Sequence, residues 1–90
     1  MKRNIHGIKM MIAEHLSSGK SINRLEALTL YGVQTLNTEI SRLRREGWNI
    51  KARTIFFAEA VRRVNQSATY IPPKNLPVSE IQLTDYWLSK

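Results

Sequence analysis

Gln34, Thr38, Ser41 and Arg45 follow one another at spacings of 4, 3 and 4, which places them on one side of a helix at about 100° per residue. Their chemistry is of one kind. Short amide and hydroxyl groups can approach a surface closely and hydrogen-bond to base edges. A guanidinium neutralises phosphate and can grip a guanine edge with two hydrogen bonds. Arg42 flanks the row, and Thr35 and Asn37 lie in the same stretch. No carboxylate falls on this side: Glu39 and Glu46 turn toward the apolar flank, where they can pair locally. An ordinary solvated helix face mixes Lys, Glu and Gln in i,i+4 pairs. This one instead offers small polar groups followed by arginines, as a face built for a polyanion would.

The distribution of charge points the same way. The chain has 90 residues, with 14 Lys and Arg against 7 Asp and Glu, a net charge of +7. Residues 1–53 hold 10 basic against 4 acidic residues, a net of +6, and residues 54–90 hold 4 against 3, a net of +1. A domain whose basic excess is concentrated in one part suggests a polyanionic partner, most often nucleic acid. There is no cysteine, which excludes disulfides, thiol nucleophiles and Cys-based zinc sites. His6 and His15 are too far apart for a helical ligand pair and no acidic cluster joins them, so His15 is expected at the boundary of a helix and no metal is expected. There is no glycine-rich phosphate loop and no nucleophile beside a base. No catalytic activity and no cofactor are expected. No apolar stretch is long enough for a membrane span, and the basic start MKRNIHGIKM lacks the apolar core of a signal peptide.

Several elements must position the polar row. Ile5, Ile8, Ile12 and Leu16 form the stripe of a first helix, closed at Gly19. Asn23 followed by Glu26 three positions on reads as the cap of a second helix, 25–31, whose Leu25, Ala27, Leu28 and Leu30 cannot share one face. Such a helix is wedged between neighbours. Gly32 permits a sharp turn, and a third helix follows from about Gln34 to Glu46, with Val33, Leu36, Ile40 and Leu43 on its core side and Gly47 at its end. Ile50 and Ile55 then alternate with polar residues as in a strand. Phe57, Ala60, Val61 and Val64 have helical spacing, yet the stretch also suits a hairpin turning at Asn65-Gln66-Ser67 and returning along Ala68–Ile71 before Pro72-Pro73. The expectation here is a hairpin, with room for a helical turn inside it. Residues 79–90 are expected as a short tail helix capped by Ser79.

A short wedged helix, a turn containing glycine and a longer helix with a polar outer face make a helix-turn-helix, whose second helix enters the major groove. A hairpin directly after it makes a winged helix, so the fold class expected is mainly α with a small β-hairpin. Lys51, Arg53, Arg62 and Arg63 would populate the wing. Trp48 and Tyr70 are expected to anchor it to the core.

The stretch SINRLEALTLYGVQTLNTEISRLRREGWNI resembles a small helix-turn-helix family frequent in bacteriophages and prophages. The match rests on Ser21, Ile22, Glu26, Ala27, Leu28, Tyr31, Gly32, Val33, Leu36, Ile40, Leu43, Arg44, Gly47, Trp48 and Ile50. Asn23 replaces the family's cap residue and can do the same work. Glu39 and Arg42 depart from the pattern, and residues 55–67 are more apolar than a typical wing. The resemblance implies DNA binding, a phage or prophage origin and a role in transcription, in the cytoplasm of a bacterial host.

Taken together, residues 1–72 are expected to form a winged helix-turn-helix domain and 73–90 a tail for docking or for pairing two copies through Tyr86, Trp87 and Leu88. The expected partner is double-stranded DNA. Gln34, Thr38 and Ser41 would lie near bases, with Thr35 and Asn37 beside them, and Arg42, Arg45, Lys51 and Arg53 mainly on phosphates. Two other readings stand beside this one: a protein-interaction module that blocks a host factor through residues 55–64 and the aromatic tail, and an accessory factor for DNA packaging or recombination.

Overall fold

The computed structural model describes residues 5–89. In chain order the elements are α1 (Ile5–Ser17), β1 (Ile22–Asn23), α2 (Arg24–Tyr31), α3 (Leu36–Arg45), β2 (Ile50–Phe56), α4 (Phe57–Val64) and β3 (Gln82–Leu88). The three strands form one antiparallel sheet in the order β1-β3-β2. Helices and sheet together make a winged helix-turn-helix in which the β2–β3 ribbon is the wing.

The first three helices form for the reasons their sequence suggests, but α3 begins at Leu36 with Thr35 as its cap, so Gln34 and Val33, expected on its faces, lie in the turn before it. Ile12 and Leu16 are fully buried and Ile8 packs beside them; the side chains of Ile5 and His6, and all of residues 1–4, lie outside the described part. Asn23 caps α2, its Oδ1 accepting from the Glu26 N–H at 3.0 Å. The wedge expected of α2 is real. Ala27 faces a core shared with α1, α3 and the sheet, whereas Leu25 faces a second cluster with Ile55, Ala60 and Val64. Gly32 takes φ +67° at the end of α2, a left-handed conformation that side chains disfavour. Gly47 does the same after α3 at φ +100°, where its N–H reaches Arg44 O and that of Trp48 reaches Leu43 O, satisfying the last carbonyls.

Beyond β2 the chain departs from expectation. Residues 57–64 are helix, not the far arm of a hairpin. The helical spacing of Ala60 and Val64 wins because both side chains are fully buried against α2 and β2, with Phe57 and Val61 packed around them. The return along 68–71 is not a strand. Asn65 holds it as a loop, donating to Val61 O and Tyr70 O and accepting from the Tyr70 N–H at 3.0 Å. The strand that closes the wing is β3, in the segment expected as a tail helix. Ile50 pairs with Leu88 and Phe56 with Gln82, so the whole of residues 57–81 is inserted between the two strands of the wing. β3 also pairs with β1, Ile22 opposite Tyr86, and is therefore the middle strand. Tyr86, Trp87 and Leu88 look like excess apolar bulk in a free tail. In the central strand Tyr86 and Leu88 pack against the first core and Trp87 lies under the Arg53 guanidinium. The connection into β3 is tied to α4, Phe57 N–H donating to Ile81 O at 2.8 Å and Ala58 N–H to Val78 O at 3.2 Å.

Candidate nucleic-acid interface

Alternation along a strand sorts the sheet residues into two faces. Ile22, Ile50, Tyr86 and Leu88 share the face on which α1 and α3 pack. Lys51, Arg53, Asp85 and Trp87 share the other. This division decides the fate of most candidate residues.

On α3, Leu36, Ile40 and Leu43 are almost completely buried. The helix is thereby fixed in rotation, and Asn37, Thr38, Ser41 and Arg45 are exposed, as are Gln34 and Thr35 just before its first turn. Thr38, Ser41, Arg45 and Gln34 have no side-chain hydrogen-bond or ion-pair partner among the described residues. The carboxylates are removed from this surface. Glu39 is 2% exposed and takes Arg42 Nη1 at 3.4 Å and Thr35 Oγ1 at 3.3 Å. Glu46 pairs with Lys9 of α1. Arg42 is therefore partly neutralised within its own helix, and Arg45 is the cation of α3 left free among the described residues. Two further polar groups are committed to the wing. Asn37 Oδ1 accepts from the Tyr86 hydroxyl at 3.0 Å. Arg44 donates twice to Ile50 O and lies over the Tyr86 ring, 5.7 Å from its centroid. These bonds lock the flank of α3 to β2 and β3.

The basic residues expected on the wing do not gather beside this row. Lys51 and Arg53 are exposed, but on the sheet face away from α3. Arg53 leans over the Trp87 ring at 5.9 Å and donates to Asp85 Oδ2 at 3.3 Å. Arg62 is exposed on α4. Arg63, its neighbour, points inward and is part of a clamp. Its guanidinium donates to Asp85 Oδ2 at 3.0 Å, to Glu26 Oε1 at 2.6 Å and to Ser21 O at 3.2 Å. The clamp ties α4 to β3, α2 and the turn before β1. Asn23 Nδ2 also donates to Glu26 Oε1, at 3.2 Å. Burial raises the Glu26 carboxyl above its ordinary value of 4.5, and the nearby Arg63 only partly offsets this. His15 is a buried boundary residue as expected: its Nε2 faces Ser21 O at 2.8 Å and its Nδ1 faces the Tyr31 hydroxyl at 2.7 Å. A proton on Nε2 satisfies both contacts, the imidazole donating to the carbonyl and accepting from the tyrosine.

Arg24, not singled out from the sequence, stands exposed at the first position of α2 with no partner among the described residues. The cap signal of Asn23 located the helix start, but nothing local indicates that this arginine has no carboxylate partner among the described residues. Among the described residues no group of three His, Cys, Asp or Glu is arranged to hold a metal, and no helix is long and apolar enough to cross a membrane.

No curated protein and no solved structure matches the chain. A family model described as a winged helix-turn-helix domain matches residues 7–71, from α1 to the loop beyond α4, and ends before β3. With that match over most of its length, and with α2, the Gly32 turn, α3 and the β2–β3 ribbon in place, the chain belongs to the winged helix-turn-helix domain family.

Proposed function

We propose that the domain binds double-stranded DNA sequence-specifically with α3 in the major groove, and that it regulates transcription in a phage or prophage. The observation that carries the reading is the outward side of α3. Thr38, Ser41 and Arg45 are exposed, unpartnered and free of any neighbouring unpaired carboxylate, on a helix whose opposite side is locked into the core. Small hydrogen-bonding groups on a rigid support suit base edges, and a free guanidinium suits phosphate or guanine. Gln34 and Thr35 open the same surface. Lys51, Arg53 and Arg62, placed elsewhere, contribute to the long-range attraction of a polyanion rather than to this contact. The phage origin and the regulatory role rest on the resemblance of about residues 5–72 to the phage family.

Binding to random-sequence duplex across a salt series, read by fluorescence anisotropy, tests the reading. Affinity should fall steeply as salt rises, because phosphate neutralisation releases counterions. No binding at low salt would sink it and would favour the protein-interaction reading, for which residues 55–64, with the exposed Phe56, and the aromatic tail would be the contact surface.

A further inference from the structure

A cleft of about 590 Å³ opens between the α2–α3 turn and the segment that leads from α4 into β3. It exists because the wing is interrupted by residues 57–81, which fold back over α2 instead of closing in a tight hairpin. Its floor is apolar and buried, formed by Leu25, Val33 and Leu36. Phe57 and Tyr70 stand on the opposite side, their rings tilted at 60° with centroids 6.3 Å apart. The Asn65 hydrogen bonds to the Tyr70 backbone hold the chain of that wall in place. Exposed Leu28, Arg24, Gln34 and Gln82 and the half-buried Ile81 and Leu83 complete the lining. Arg24 is the single charged group in the lining, which contains no carboxylate.

We propose that this cleft is a binding site for a small amphipathic organic anion, an aromatic or branched aliphatic body carrying one carboxylate or sulfonate. The volume is that of a small-molecule site, and the composition matches one: apolar walls with a few polar groups that fix orientation. The apolar body would lie against Val33, Leu36, Phe57 and Tyr70, and the anion would pair with the uncommitted guanidinium of Arg24. A duplex offers nothing to these apolar walls. A stable protein partner would bury about 800 Å² on each side, and three of the four large apolar side chains exposed enough to serve it, Met10, Phe56 and Ile71, lie outside the lining.

The test is a titration of the full chain with 8-anilinonaphthalene-1-sulfonate, followed by its fluorescence, in the absence of DNA. The outcome is thereby independent of the duplex-binding reading. Saturable one-to-one binding is expected. Arg24→Gln should weaken it about tenfold, about 1.4 kcal/mol. Leu28→Glu, which adds a negative charge at the rim, should weaken it further, whereas Lys74→Gln, outside the lining, should leave it unchanged. Thermal melts of each variant report on folding; Arg24 and Leu28 are both exposed, so the variants should melt as the parent does. Absence of saturable binding overturns the proposal. So does an Arg24→Gln or Leu28→Glu variant that binds like the parent, or a Lys74→Gln variant that weakens binding as much as they do.

Discussion

Arg45 and Arg63 each sit in the last turn of an amphipathic helix, α3 and α4, and by local sequence they are alike. Their surroundings make them opposites. Arg45 ends in solvent with no partner among the described residues. Arg63 is held by two carboxylates and a carbonyl, and through them it joins α4 to α2 and to the middle strand. A free cation costs the fold little and is available to an outside anion. A committed one is part of the fold, and its removal strands the carboxylates it neutralises. Asp85 is fully buried and its Oδ1 has no hydrogen-bond partner among the described residues, so the clamp has no reserve to lose. A count of positive charges cannot separate the two roles.

The largest expected effect breaks the clamp. Arg63→Ala leaves Glu26 and Asp85 buried without their main partner and should destabilise the domain by about 3–5 kcal/mol, read from urea unfolding. A loss under 1 kcal/mol would mean that Arg63 is as dispensable as a surface arginine. Next come the small polar residues on α3 and in the turn just before it. Thr38→Ala and Gln34→Ala should each reduce discrimination between the preferred site and unrelated duplex, by about 1–3 kcal/mol, in competition binding. Arg45→Ala should act differently, weakening binding to all duplexes alike and lowering the salt slope by about 1. Its unfolding midpoint should stay with the parent's; a large stability loss would erase the contrast with Arg63.

A smaller effect follows from the raised Glu26 carboxyl. The folded state holds this proton more tightly than the unfolded chain does. The contribution of Glu26 to stability is therefore complete below its ordinary value of 4.5 and is lost as pH rises through the raised folded value. The stability of the parent relative to Glu26→Gln should decline across that window and then level off. A difference that rises with pH would mean that Arg63 outweighs burial. Smallest of all, Arg62→Ala, one residue from the clamp, should change stability by no more than about 0.5 kcal/mol.

The wing shows most clearly where a reading of residues stops. Residues 57–64 carry helical spacing and are helix, but the short apolar run Ile55-Phe56-Phe57 is equally compatible with strand, and periodicity alone does not arbitrate runs of that length. Burial of Ala60 and Val64 decided it. Thr84-Asp85-Tyr86-Trp87-Leu88 lacks the clean alternation of a half-exposed strand because Tyr86 and Leu88 pack against the first core on one face while Asp85 is held by the Arg63 clamp on the other.

What the residues determined by themselves is local. Asn23 sets the start of α2. Gly32 and Gly47 set the ends of α2 and α3, because the backbone there needs a left-handed conformation. The 3.6-residue period of Leu36, Ile40 and Leu43 sets which side of α3 faces out, and with it the exposure of Thr38, Ser41 and Arg45. Each of these signals acts within a turn or two of helix. The tertiary structure alone decided that 82–88 closes the wing, that Lys51 and Arg53 fall on the face away from α3, and that Arg63 turns inward. Those outcomes depend on pairing across some thirty residues of chain, as between Arg53 and Asp85, and on the cost of leaving a buried charge unpaired. Local periodicity carries no record of either.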